Sequence, residues 1–269
     1  MKKGIRGHDV SVKGLINIDQ RCAEAGIEYV QLVLEKSIDD FKVGEFSEEY
    51  AQKIKSELPK SKIAILGSYI NPSDPNEENL AKSIAKFKEK IRYATILKPI
   101  AVGTETGSYI EGKAHTEEGY QHLLKTVKEL VAEAEKFGID VGIEGVHAFV
   151  INSPEKMARL MKDVDSDHIK SIFDPYNLIT IDNYTQQDKM INDMFDLVGE
   201  KIVAIHAKDF VVENGKIQRV IPGKGMLNYK LIFQKMKEKN LDIPIICESI
   251  NDIDAQEAFD ILLDIEEML

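Results

Sequence analysis

The chain has 269 residues, a formal net charge of −11, 43% hydrophobic residues and two cysteines. That length can bury one large core, and no Pro-, Gly- or Ser-rich linker divides it, so a single domain over residues 1–269 is expected. The acidic balance works against a nucleic-acid partner, the cysteines are too few for a disulfide framework or zinc cluster, and no apolar run approaches the roughly 18 residues of a membrane span.

Met1-Lys2-Lys3 leads directly into a strand without a signal-peptide core, so a cytoplasmic location is expected. Gly4–His8 is the first predicted strand, and a helix from Leu15 to Ala25 follows, closed by Gly26. Ile27–Leu34 is the second strand. Ser47 caps a helix carrying Ile54 and Leu58, stopped by Pro59, and Lys62–Leu66 makes the third strand. An irregular loop from Gly67 to Asn76 contains Asn71-Pro72 and Asp74-Pro75.

Leu80, Ile84, Phe87, Ile91 and Ala94 recur at helical spacing up to Pro99, before a fourth strand at Ile100–Gly103. Thr116 is the expected cap of a helix whose apolar stripe runs from Tyr120 to Ala134. Strand five is Asp140–Ile143. Ser153-Pro154-Glu155 then starts a helix, with proline in its first turn. Strand six ends at Phe173, and a helix bearing Met190, Met194, Phe195 and Val198 precedes strand seven. A polar loop is expected over Glu213–Gly225, then a helix near Asn228–Lys239, strand eight, and a last helix capped by Asp252 or Asp254.

Eight buried strands alternating with helices predict an all-parallel sheet closed into a (β/α)8 barrel. An open doubly wound sheet usually has a glycine-rich turn after its first strand, and Gly7-His8-Asp9 is not one. Four of the strands share a design: Val141-Gly142-Ile143-Glu144, Ser171-Ile172-Phe173-Asp174, Val203-Ala204-Ile205-His206 and Ile245-Ile246-Cys247-Glu248. Each is an apolar run that ends in a potential ligand.

Glu144, Asp174, His206 and Glu248 lie 30, 32 and 42 residues apart, at or above the ~30 residues of one strand–helix–strand step. They therefore fall on four consecutive barrel strands and converge at the C-terminal mouth. Three carboxylates that close repel one another unless a cation joins them. Their hard, oxygen-rich chemistry favours one Mn²⁺, Mg²⁺ or Co²⁺, with Zn²⁺ also accommodated.

Ile143-Glu144, Phe173-Asp174-Pro175-Tyr176-Asn177, Ile205-His206-Ala207-Lys208-Asp209 and Pro222-Gly223-Lys224-Gly225 resemble the xylose isomerase-like barrels. The likeness is to their sugar phosphate isomerase/epimerase group, related to endonuclease IV, and it extends from Gly4 to Glu248. It implies that Glu144, Asp174, His206 and Glu248 bind the metal, and that the two glutamates also act as acid and base. Similar members often have His three residues after the aspartate; here that position is Asn177, which can hydrogen-bond a hydroxyl but cannot shuttle a proton near neutral pH. The nuclease branch adds metal-binding histidines that Glu35, Ser68 to Asn71 and Val211–Pro222 lack, which makes AP endonuclease activity a minor reading.

The expected activity is isomerisation or epimerisation of a ketose, sugar phosphate or related polyol, by proton abstraction next to a carbonyl through a metal-stabilised enediolate. A lyase dehydrating a keto-inositol or sugar acid would begin with the same step, and a non-catalytic sugar-binding module would use the same residues. His8, Glu105, His147, Asn177, Lys208 and Arg219 are further candidates for substrate contact. Gly223-Lys224-Gly225 resembles a phosphate cradle, and serves equally as a turn that folds over the site. The expected partner is a small sugar or sugar phosphate, with no nucleic acid or membrane, and the outer helices allow a homo-oligomer.

Overall fold

The computed structural model describes residues 1–269. β1 (Lys2–Arg6) passes through a single-turn 3-10 helix, Gly7–Asp9, to α1 (Leu15–Glu24). β2 (Tyr29–Leu32), the short α2 (Leu34–Ser37), α3 (Glu48–Ser56), β3 (Lys62–Gly67) and the long α4 (Glu77–Leu97) follow. Then come β4 (Ala101–Glu105), α5 (Glu117–Glu135), β5 (Val141–Glu144), α6 (Pro154–Val164), β6 (Ile169–Phe173) and the one-turn α7 (Pro175–Leu178). The last part is α8 (Gln187–Val198), β7 (Ile202–Ala207), β8 (Asp209–Glu213), β9 (Lys216–Val220), α9 (Tyr229–Glu238), β10 (Pro244–Cys247) and α10 (Asp252–Glu267).

Eight parallel strands close in the order β1-β10-β7-β6-β5-β4-β3-β2, with Gly4 paired to Tyr29 at the closure. The expected barrel is the observed one. Helix starts follow local chemistry: the side chains of Ser47, Asn76, Thr116, Ser153 and Asn228 each accept a backbone N–H from the first turn of their helix.

Three local expectations need correction. The first strand begins and ends two residues early, which puts His8 in the turn after it. Asn251, rather than Asp252 or Asp254, caps α10 by accepting the N–H groups of Ile253 and Asp254 at 2.9 Å each. The polar stretch Glu213–Gly225 contains half of an antiparallel hairpin, β8–β9, whose turn residues Asn214 and Gly215 both have positive φ. Asn-Gly is the dipeptide that a two-residue hairpin turn favours, so the signal was in the chain.

Side chains alternate between the two faces of a strand, so residues two apart share the barrel interior. One interior layer holds Gly4, Tyr29, Ile65, Gly103, Gly142, Ile172, Ala204 and Ile246, with Tyr29, Ile65, Ile172, Ala204 and Ile246 in one buried cluster. Small and large residues interlock there. A Cβ on Gly103 would lie 2.5 Å from Ile65 Cγ2 and 2.8 Å from Ile172 Cδ1, so the glycine makes room for both isoleucines. Two residues further along, the same strands point Arg6, Gln31, Glu105, Glu144, Asp174, His206 and Glu248 into the mouth, above this apolar plug.

Candidate metal centre and active site

His206 is fully buried, and its Nδ1 lies 3.5 Å from both Glu144 Oε1 and Asp174 Oδ2. That nitrogen has no hydrogen-bond partner. Atoms of Glu144, Asp174 and His206 that could each bind a metal all lie within 4.8 Å of one another. A buried imidazole nitrogen left open between two carboxylates fits a divalent cation.

The tautomer that opens Nδ1 is set by a residue that inspection of the motifs missed. Gln31 donates Nε2 to Tyr69 Oη at 2.7 Å and to Glu248 Oε1 at 2.5 Å, which leaves its Oε1 to accept from His206 Nε2 at 2.8 Å. In the neutral imidazole, Nε2 therefore keeps its proton and Nδ1 is the nitrogen left with a lone pair. The pairing of β2 with β3 shifts register between Val30 and Gln31, an irregularity of the kind that re-aims side chains beside active sites. Gln31 is two residues after inward-facing Tyr29, and Arg6 two after Gly4; the strand period of two, applied to β1 and β2, would have found both.

Glu248 stands at the other edge of the imidazole, with Oε1 3.6 Å from Nε2. Lys208 links it to the cluster, its buried ammonium 2.6 Å from Asp174 Oδ2 and 2.8 Å from Glu248 Oε2. Asp174 Oδ1 accepts the Asn177 N–H as the cap of α7, so Oδ2 is the oxygen that a metal would share with, or take from, Lys208. Asn177 Nδ2 donates to Glu144 Oε1 at 2.7 Å and thereby orients one of the two glutamates.

These surroundings separate the carboxylates. Burial raises Glu144 above the usual range, with His206 opposing. Burial would also raise Glu248, but His206, Lys208 and Arg6 outweigh it and hold this group at about 2. Asp174 falls lower still, its burial overridden by Lys208 and His206. Burial would lower His206, yet Glu248 and Glu144 push it up to about 10 in the metal-free protein. A cation at Nδ1 would therefore displace a proton from the imidazole as well as the contacts of Lys208.

A cavity of about 260 Å³ opens onto the cluster and is lined by Arg6, His8, Tyr69, Glu105, Asn177 and Lys208, among others. Four of the expected substrate contacts, His8, Glu105, Asn177 and Lys208, thus reach the same space. Burial, and then Glu144, raise Glu105 to about 7. The other two lie elsewhere. His147 is exposed, with Nδ1 3.1 Å from the Asn177 carbonyl oxygen, and faces a neighbouring cavity of about 420 Å³ lined also by Tyr176 and Ile217. Arg219 is exposed on β9 and stacks 5.3 Å from the centre of the Tyr176 ring.

The Pro-Gly-Lys-Gly loop is no phosphate cradle, because a carboxylate of the chain fills it. Asp209 Oδ2 accepts the N–H groups of Gly223 and Gly225 at 2.9 Å each, and Oδ1 accepts that of Leu227 at 2.9 Å. A Cβ on Gly225 would lie 2.2 Å from Asp209 Oδ1. Glycine is needed for this close approach rather than for an anion from outside.

The family model described as xylose isomerase-like TIM barrel matches residues 20–265. The chain belongs to that family. A curated relative, an uncharacterized protein of Methanocaldococcus jannaschii, is 28% identical over 201 residues; the match covers 72% of this chain and 66% of that protein, just under two thirds of its length. Among solved structures, a D-tagatose 3-epimerase-like protein superposes with a TM-score of 0.80 at 21% identity, covering 100% of this chain and 98% of that one. D-psicose 3-epimerase of Clostridium cellulolyticum H10, solved with D-tagatose, gives 0.77 at 15% identity over 99% of both chains. The IOLI protein with a bound zinc atom gives 0.77 at 18% identity, covering 100% of this chain and 99% of that one. At these identities the xylose isomerase-like barrel is shared as a fold. No helix in the chain is long and apolar enough to cross a membrane.

Proposed function

We infer that this xylose isomerase-like protein is a metal-dependent isomerase or epimerase acting on a ketose or ketose derivative. The observation that carries the reading is the open Nδ1 of His206, held between Glu144 and Asp174 at the mouth of a closed barrel. Glu144, Asp174, His206 and Glu248 would hold one hard divalent cation, Mn²⁺, Mg²⁺ or Co²⁺ ahead of Zn²⁺. When bound, that cation would polarise a carbonyl and the hydroxyl beside it.

The remaining chemistry belongs to the protein. Glu144 at the end of β5 and Glu248 directly after β10 stand at the two ends of the ligand arc, separated by β6 and β7. A substrate lying between them meets one carboxylate on each side. One removes the proton from the carbon next to the carbonyl, and the other returns a proton from the opposite side, which inverts that carbon. Asn177 orients Glu144 through its 2.7 Å contact, and Lys208 holds Glu248. Neutral Asn177 leaves the proton transfers to the two glutamates. The names of the similar epimerase structures support the same reaction class.

The test is isotopic. Metal-loaded protein in deuterated water should place solvent deuterium on the carbon next to a ketose carbonyl, with every substrate oxygen retained. Glu144→Gln and Glu248→Gln should each reduce this exchange by at least about 10³-fold while leaving the circular dichroism spectrum unchanged. Loss of an oxygen would make the protein a dehydrating lyase. Full exchange in both variants would remove the two-carboxylate mechanism.

A further inference from the structure

We propose that Tyr69 is a catalytic hydrogen-bond donor, whose phenol O–H, beside Glu248, holds the substrate oxygen that gains negative charge when the neighbouring carbon loses a proton. The inference rests on the reading above and adds a neutral donor to its two glutamates.

Tyr69 follows β3 and lines the cavity above the cluster. The 2.5 Å contact between Gln31 Nε2 and Glu248 Oε1 fixes the Gln31 amide, because a carboxylate that close accepts from an N–H and repels a carbonyl oxygen. The same nitrogen lies 2.7 Å from Tyr69 Oη, so the phenol oxygen is the acceptor in that contact. Its own proton is not used there, and no group of the protein accepts it. Burial, and then the charges of Glu144, Glu248 and Glu105, hold the phenol well above its usual pKa, so the proton stays in place.

The ring is set as firmly as its oxygen. A Cβ on Gly67 would lie 2.8 Å from Tyr69 Cε2 and 2.8 Å from Val33 Cγ2, so glycine at the end of β3 lets the ring lie against the strand. The backbone on either side is pinned to β4: the Ser68 N–H donates to the Gly103 carbonyl at 2.8 Å, and that of Ile70 to Thr104 Oγ1 at 3.3 Å. A donor fixed in this way needs no reorganisation as charge appears opposite it.

Other donors in the cavity wall are committed. Arg6 Nε and Nη2 donate to the two oxygens of Asp9 at 2.7 and 2.9 Å. Lys208 is held by Asp174 and Glu248, and Asn177 Nδ2 by Glu144. Tyr69 keeps an O–H to give, and because one nitrogen of Gln31 binds both Oη and Glu248 Oε1, donor and base stand side by side. When a glutamate takes the proton from carbon, the C–H electron pair forms the second bond between the two carbons and the carbonyl π pair moves onto its oxygen. Tyr69 retains its own proton throughout, and its hydrogen bond to that oxygen strengthens as the charge grows.

The test pairs Tyr69→Phe, which keeps the ring against Gly67, with threonohydroxamate, whose two adjacent oxygens, one of them anionic, mimic an enediolate. By calorimetry on Mn²⁺-loaded protein, the hydroxamate should bind about tenfold or more weakly to Tyr69→Phe than to wild type. Solvent-deuterium exchange into D-fructose, D-tagatose or D-ribulose should fall about 100-fold in the same variant. Mn²⁺ affinity should stay within about twofold of wild type, whereas a residue that acts only by supporting Gln31 would lower it. Unchanged hydroxamate binding in Tyr69→Phe, no hydroxamate binding by the wild type, or a parallel loss of Mn²⁺ affinity would each overturn the inference. A Tyr69-dependent hydroxamate affinity without exchange in the wild type removes only the proposed reaction, and exchange that survives Tyr69→Phe removes only this inference.

Discussion

Gln31 is bonded to Tyr69, Glu248 and His206 at once, and its loss would be felt through all three. Gln31→Leu preserves approximate volume but leaves His206 free to take either tautomer. Metal affinity should fall about 10- to 100-fold, the range for residues that orient a ligand, and equilibrium dialysis would measure it. Lys208 should act in the opposite direction. Its ammonium occupies Asp174 Oδ2 and Glu248 Oε2, two oxygens that a cation would use. Lys208→Met should destabilise the metal-free protein by about 3–5 kcal/mol, since two buried carboxylates lose their partner. It should also tighten metal binding about tenfold, so thermal melts would show a larger metal-induced rise in Tm than wild type. Of these residues, Lys208 was visible in the sequence because it follows His206 within a motif. Gln31 and Arg6 were not, because neither sits beside a recognisable ligand, and only the barrel's inward alternation singles them out.

Between elements, the two ends of the chain meet around one carboxylate. Asp252 in α10 accepts the Ser11 N–H at 2.7 Å on Oδ1 and the Arg21 Nε of α1 at 2.5 Å on Oδ2, with only 2% of its surface exposed. Burial alone would raise its pKa, but the Ser11 and Arg21 contacts prevail and hold it at about 2. A carboxylate depressed on folding adds stability that is present above its unfolded pKa and lost as pH falls toward the folded value. Asp252→Asn should therefore cost about 1–3 kcal/mol in urea unfolding at pH 7, with the difference from wild type shrinking as pH falls from about 4 toward 2. From sequence, Asp252 read as a cap because acids favour first turns; Asn251 takes that role and frees Asp252 to reach α1. The hairpin β8–β9 was hidden for a different reason. Its outer strand, Lys216–Val220, is half polar and partly exposed, so it lacks the apolar run that marked the barrel strands.

For the molecule as a whole, the barrel was legible because most of its strands, though not β1, are buried on both faces and read as short apolar runs, and strict alternation with helices admits few topologies. The convergence of Glu144, Asp174 and His206 was legible because closing such a barrel brings the ends of its strands together. The distinct position of Glu248 was not, since it depends on where Lys208 and Gln31 place their polar atoms. The proposed reaction requires one divalent cation at the C-terminal mouth, held through the unpartnered nitrogen of His206. Titration of the metal-free protein with Mn²⁺, following the free-ion electron paramagnetic resonance signal, measures that binding. One Mn²⁺ should bind per chain, and His206→Ala should weaken binding by at least about 100-fold. Failure of the wild-type chain to take up Mn²⁺, Mg²⁺, Co²⁺ or Zn²⁺, or unchanged Mn²⁺ binding in His206→Ala, would rule out a metal centre at His206.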